Sequence, residues 1–382
     1  MTAGTRNFAS ALLALSLTCS TAAFADITVG ISLSATGSAA VLGGPAKNTV
    51  EIYPATIDGE KINWIALDDA SDTTNAVKNA NKLITENKVD ILIGGSITPA
   101  ALALAGIAAE AKVPLIAQAP NPADGDKRYW SFIMAQNFSL MAEGILEHMK
   151  ANNYKTLGFI GFADGYGETW IKALDSVKDK YGVTVGPIER FQRTDTSVTG
   201  QAVKLIAAKP DAILVVASGA PAVMPHATLV ERGYKGQIYQ THGAPSPAFL
   251  KLGGKNIEGG VMVAGPLLVY EQLPDSHPSK KIGKEYATLY EAKFGPGSLS
   301  SFGGHMWDAL QILSRAIPVA KKKAKPGTAE FRVALRDAIE ASKEVVGVHG
   351  VFNMSAADHY GHDRRARVLL QVQNGAFKVI SN

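Results

Sequence analysis

The stretch Asp90-Ile91-Leu92-Ile93-Gly94, followed by Gly95-Ser96-Ile97-Thr98-Pro99, by an Ala-rich run from Ala100 to Ala111 and by Val113-Pro114-Leu115-Ile116-Ala117, decides the fold. A short apolar run bounded by turn formers reads as a strand buried on both faces, and the Ala-rich dozen is long enough for a helix. Strand, helix and strand at this spacing make a right-handed βαβ unit with two parallel strands. The same pattern extends upstream. Ile27 to Ile31 and Ile62 to Leu67 read as strands, and residues 43–54 and 73–87 as helices. In the second helix Val77, Ala80, Leu83 and Ile84 share one face, and Asp72 or Thr73 is placed to cap it.

The alternation restarts in the middle of the chain. Helices are expected over 139–152, 167–180, 199–208 and 220–232, and strands over 156–160, from Thr184 on, over 212–216 and over 237–240. Two long helices follow, 279–294 and 306–320, and the tail forms a hairpin of 367–372 with 377–380 around Asn374-Gly375. The fold class is therefore α/β, with two Rossmann-like lobes built on parallel sheets.

Composition agrees. The 382 residues are 46% hydrophobic and 19% charged, an ordinary globular balance, and the formal net charge of +4 is spread too thinly for a nucleic-acid binder. Arg6, the apolar run from Ala11 to Leu17 and Ala23-Phe24-Ala25 have the layout of a cleavable signal peptide over residues 1–25. The lone Cys19 lies inside it, so the exported chain is expected to hold together by core burial without disulfides.

Catalytic motifs are missing. Neither a phosphate loop, nor a dinucleotide loop, nor a Gly-x-Ser-x-Gly elbow occurs. His349, His359 and His362 lie near Asp358 and Asp363, but Met354 to His362 reads as a polar surface loop rather than a metal site. The expectation is a protein that is not an enzyme and has neither metal nor cofactor.

In open parallel sheets, ligands sit beyond the carboxyl ends of the strands. The loops there are Ser34 to Gly43, Gly95 to Pro99 and Gln118 to Pro122, rich in small residues and hydroxyls that suit an anion. Ser96 and Thr98 serve equally well as helix caps or as ligand contacts.

These loops carry a resemblance. Leu33-Ser34-Ala35-Thr36-Gly37 with Gly43, Asp68-Asp69 through Lys82-Leu83-Ile84, Asp164-Gly165-Tyr166-Gly167 and Trp307-Asp308-Ala309, in this order and behind a signal peptide, resemble the periplasmic solute-binding proteins of the branched-chain amino-acid type. The resemblance implies a type I binding-protein fold, with two lobes joined by a three-strand hinge: residues 26–140 with 275–348, and residues 141–274 with 349–382. It also implies a monomer in the periplasm that traps a ligand by hinge closure and passes it to an inner-membrane ABC permease. Carried onto this chain, the family's carboxylate contacts fall on Thr98, with Ser96 and Ile97 beside it, and on Ala119 and Asn121. The opposite lobe contributes Tyr166 and Ser218-Gly219-Ala220, and a further aromatic falls on Phe302.

One departure narrows the ligand. Where amino-acid binders of this family place a carboxylate for the ligand ammonium, this chain reads Gln240-Thr241-His242-Gly243. A buried ammonium without a counter-charge costs several kcal/mol, so an α-amino acid fits poorly, and what the resemblance implies, from relatives that lack this carboxylate, is an aromatic acid of the benzoate, 4-hydroxybenzoate or hydroxycinnamate type. Its ring would lie among Leu42, Tyr166 and Phe302, with His242 at any para-hydroxyl and neutral donors rather than Lys or Arg at the carboxylate. The alternatives are a branched-chain amino-acid, amide or urea binder and, in another class, a secreted hydrolase.

Overall fold

The computed structural model describes Met1 and residues 26–381, so the rest of the expected signal segment, Cys19 included, lies outside the described residues. The first half builds β1 (Ile27–Leu33), α1 (Ala40–Val50), β2 (Thr56–Ile57), β3 (Glu60–Asp68), α2 (Thr73–Thr85), β4 (Ile91–Gly94), α3 (Thr98–Ala111), β5 (Leu115–Ala117), α4 (Gly125–Tyr129) and β6 (Ser131–Ile133). Next come α5 (Phe138–Ala151), β7 (Thr156–Phe162), α6 (Gly165–Tyr181), β8 (Thr184–Phe191), α7 (Thr199–Ala207), β9 (Ala212–Val216), α8 (Val223–Glu231), β10 (Gln237–Gln240), α9 (Pro247–Gly253) and β11 (Val261–Ala264). The remainder is α10 (Ser279–Phe294), α11 (Ser301–Lys321), α12 (Ala329–Glu340), β12 (Val345–Gly347), β13 (Gly350–Phe352), β14 (Val368–Gln373) and β15 (Ala376–Ser381).

Two sheets result. The first has the order β2-β3-β1-β4-β5-β6 and is parallel except for β2. The second has the order β15-β14-β11-β10-β9-β7-β8, parallel from β11 to β8, with the C-terminal hairpin added antiparallel at the other edge. Strands β4, β5 and β9 are apolar and buried along their whole length because helices cover both faces. Helices α11 and α12 return to the first sheet, where Met306, Ile312 and Leu313 join Phe331 and Leu335 in one core with Val29 and Ile31. The chain thus passes between the sheets three times: from β6 to α5, after β11, and between β13 and β14.

The short elements differ from expectation. β6, β11 and the β12–β13 pair have four residues or fewer per strand and were not anticipated, nor were α4, α9 and α12. The sharpest difference lies at 349–362, which was expected in the second lobe and, in part, on the surface. The segment instead packs on the first sheet: the His359 ring stacks 4.3 Å from Phe132, its Nδ1 lies 2.9 Å from the Ser131 carbonyl, and its own carbonyl accepts from Ile133 N–H at 3.0 Å. His349 and His359 are both buried. Their polarity reads as a loop, but each ring is matched by a partner inside the fold.

Candidate ligand-binding cleft

The strand orders fix where a cleft must form. In the first sheet β1 lies between β3 and β4, so the loops after β1 and β4 leave in opposite directions. In the second sheet the loops after β7 and β9 do the same around β7. Such switch points open a crevice at the carboxyl ends of the strands, and here the two crevices face each other around one shared cavity.

The first lobe supplies Leu42 from α1, Ser96 and Ile97 from the loop after β4, Thr98 at the start of α3, Ala119 after β5, and Phe302 from α11. Of the two expected roles, Thr98 does not serve as a side-chain cap. Helix α3 has no side-chain cap, and the buried Thr98 Oγ1 has no hydrogen-bond partner among the described residues. Ser96 Oγ accepts from Ser34 N–H at 3.1 Å, which leaves its own O–H free to donate. The first-turn N–H groups of α3 also point out of the helix, where an anion is stabilised. Gly95 makes the turn possible: its φ is +75°, and a Cβ there would lie 2.6 Å from Ala101 Cα.

The second lobe supplies Tyr166 from α6, Ser218 after β9 and His242 after β10. The Tyr166 hydroxyl lies 2.8 Å from Thr241 Oγ1, and burial pushes its pKa up to about 12, so it stays protonated. His242 stands among Phe138, Tyr166 and Trp170, with ring centroids 6.1, 6.2 and 5.8 Å away. Burial, reinforced by His349, holds its pKa down at about 3, so the imidazole is neutral. Both its nitrogens are buried without a partner among the described residues, so one donor and one acceptor remain for a ligand.

Three expected contacts fall elsewhere. Asn121 is spent on structure: its amide nitrogen donates to Ser131 Oγ at 3.1 Å, and its Oδ1 accepts from Ala123 N–H at 3.1 Å. Gly219 and Ala220 stand outside the lining as well. Ala119 lines the cavity, but its N–H donates to the Gly95 carbonyl at 3.0 Å and is not available to a carboxylate.

The structure also adds residues that sequence reasoning missed. Gln118 lines the cavity with both ends of its buried amide unpartnered among the described residues. His305 stacks 4.4 Å from His349, and burial holds its pKa well below the ordinary imidazole value. His349 in turn pairs with the buried Asp308 at 3.0 Å, beside the third crossing. Among the described residues Arg193, after β8, is the one Lys, Arg, Asp or Glu that lines the cavity, which corrects the expectation of a site without Lys or Arg.

Comparisons with known proteins agree with this architecture. A family model described as periplasmic binding protein matches residues 26–376. An extracellular ligand-binding receptor from Rhodopseudomonas palustris HaA2 is 46% identical, with a TM-score of 0.92 over 94% of this chain and 100% of that one. Two further solved structures share the fold at lower identity. One is the substrate-binding protein of a branched-chain amino acid transporter from Streptococcus pneumoniae in complex with isoleucine, 21% identical over 94% of this chain and 100% of that one, TM-score 0.77. The other is a solute-binding protein of an ABC transporter from R. palustris in complex with benzoate, 18% identical over 94% of this chain and 96% of that one, TM-score 0.77.

Proposed function

From the premise that this chain belongs to the periplasmic binding protein family, we propose that it captures a small aromatic carboxylate in the periplasm, as a monomer, and delivers it to an inner-membrane ABC permease. Membership supports a solute-binding protein of the ABC-transporter type, and with it a role other than catalysis. The aromatic acid is our reading, and one observation carries it: among the described residues, a cavity with buried, unpartnered neutral donors at Thr98 and His242 and no acidic side chain in its lining. An α-amino acid would bury its ammonium there without a counter-charge, at a cost of several kcal/mol.

In this reading the carboxylate meets the Thr98 hydroxyl, the Ser96 hydroxyl and the N–H groups opening α3. The ring lies among Leu42, Tyr166 and Phe302, and a para-oxygen meets His242, with Gln118 and His305 also in the lining. The ligand touches both lobes, so it favours the arrangement in which they are drawn together. The benzoate complex of a protein of the same fold is consistent with a ligand of this size and charge. The decisive experiment is calorimetric titration of the ligand-free protein with benzoate, 4-hydroxybenzoate, 4-coumarate, leucine and urea. Binding of the aromatic acids with silent leucine supports the reading, and tight leucine binding with silent aromatics overturns it. Conversion of a bound acid into product would instead favour a hydrolase.

A further inference from the structure

Arg193 plays no part in the reading above, yet its placement is tightly determined. In the register of β7 against β8, Phe162 lies opposite Phe191, so Asp164 and Arg193 start neighbouring loops two residues beyond the paired positions. Arg193 Nε donates to Asp164 Oδ2 at 2.6 Å, Nη1 donates to Ser218 Oγ at 3.2 Å, and the guanidinium carbon stands 3.9 Å from the centroid of the Phe162 ring. The other carboxylate oxygen of Asp164 caps α6, accepting from Tyr166 N–H at 2.8 Å. The ion pair therefore occupies one side of the guanidinium. Of its five N–H bonds two are used, and the others have no acceptor among the described residues.

A purely structural arginine would serve to tie the β8 loop to α6, and its remaining donors would face solvent. This one lines the cavity, with its side chain only 18% exposed. Thr98 lines the same cavity. The first turn of α6, capped by the Asp164 that holds Arg193, abuts the first turn of α3: a Cβ on Gly165 would lie 3.5 Å from Thr98 Cγ2 and 3.4 Å from Leu102 Cδ1. Ser218, held by Arg193, precedes Gly219, where a Cβ would lie 2.8 Å from Leu42 Cδ1 on α1. Arg193 thus stands on the second lobe between two places where that lobe meets the starts of α3 and α1. His242 and His305 also line the cavity, and His305 lies against His349, near the third crossing.

We propose that Arg193 is the second lobe's partner for the ligand carboxylate, facing Thr98 across the cleft, so that the anion itself ties the two lobes together. The assignment rests on the carboxylate reading given under Proposed function and adds to it a selection by net charge. The guanidinium's free N–H groups and the Thr98 hydroxyl converge on one anion from opposite lobes, and charge-assisted bonds of this kind are about twice as strong as neutral ones. A zwitterion would bring its ammonium toward the guanidinium, and a neutral amide or ester would forgo the charge-assisted bonds.

The test compares 4-hydroxybenzoate and 4-coumarate with their neutral amides, titrated into the wild-type chain, Arg193→Gln and Arg193→Lys, with thermal melts of each ligand-free protein. The wild type is expected to prefer acid over amide by about a hundredfold, and Arg193→Gln to lose about thirtyfold for the acids with less than about threefold for the amides. Arg193→Lys keeps the charge without the planar fork and is expected to fall between them, and it carries the comparison if the Gln variant melts early. Acids bound by Arg193→Gln as tightly as by the wild type would overturn the assignment while leaving the aromatic-acid reading intact. Equal losses for acids and amides would overturn it in favour of a role in loop structure alone. A wild-type protein that binds none of the aromatic acids would remove the reading itself and the assignment with it.

Discussion

Asp308 on α11 faces His349 in the turn between β12 and β13, with Oδ2 3.0 Å from the ring Nδ1. The same carboxylate accepts the backbone N–H groups of Val348 at 2.6 Å and His349 at 3.2 Å, and both residues are buried. The pair ties the long helix of the first lobe to the segment that leads into the third crossing. Asp308→Ala leaves three buried donors without an acceptor and is expected to destabilise the protein by about 3–5 kcal/mol. Asp308→Asn retains one accepting oxygen and is expected to cost less. Urea unfolding of both variants measures the difference, and an Ala variant as stable as the wild type would contradict the account.

Three buried histidines predict an acid-sensitive fold. Burial holds His226 at about 4, and burial aided by His349 holds His242 and His362 at about 3. Unfolded imidazoles titrate near 6.5, so between these values the unfolded chain binds protons that the native chain does not. Their contribution is complete above about pH 6.5 and is lost as pH falls toward 4, at about 1.4 kcal/mol per pH unit for each histidine. The free energy of unfolding should be flat from pH 7 to 8 and fall steeply below 6, with His226→Gln lowering the slope by about one proton. A flat profile down to pH 5 would refute it.

The two ends of the cavity predict different mutational signatures. Thr98→Val removes a buried hydroxyl from the carboxylate end and is expected to weaken every aromatic acid alike, by about 10- to 100-fold. His242→Asn acts at the far end and is expected to weaken 4-hydroxybenzoate by about tenfold more than benzoate. Calorimetry with both ligands on both variants reads this directly. Equal losses for the two acids in His242→Asn would remove His242 from hydroxyl recognition.

Gly219 predicts a closure defect. Its φ is +65°, and a Cβ there would fall 2.7 Å from Val41 Cγ2 and 2.8 Å from Leu42 Cδ1 on the opposite lobe. Gly219→Ala combines backbone strain with a clash that exists only when the lobes meet. Ligand affinity is expected to fall about tenfold, and the ligand-induced decrease in radius of gyration, read by small-angle X-ray scattering, to shrink. Unchanged affinity would show that the lobes close without this contact.

Much of the architecture was legible because parallel strands covered on both faces leave uninterrupted apolar runs, as in Ile91 to Gly94 and Ala212 to Val216. Three-residue strands such as β6 leave no such run. Helix α12 did leave a signal, with Phe331, Ala334, Leu335, Ala338 and Ile339 on one buried face, and careful counting at helical spacing would have found it. The site was legible where each contact follows a recognisable strand, as Thr98, Tyr166 and His242 do. Arg193 was not legible: it lies beyond β8, of which only the start was recognised, and only the pairing of Phe162 with Phe191 brings it beside Asp164. Asn121 and the Ala119 N–H misled for the opposite reason, since residue type says nothing of prior hydrogen bonds.

Because the chain crosses between its sheets three times, neither lobe is a single uninterrupted piece of polypeptide. No contiguous segment can therefore be exchanged between relatives to transplant a whole wall of the cleft. Thr98, Tyr166, Arg193, Ser218, His242 and Phe302 each enter from a separate β–α junction or helix start. Preference for a new cargo can arise by independent single changes, each made without disturbing the hydrophobic interiors that hold the frame.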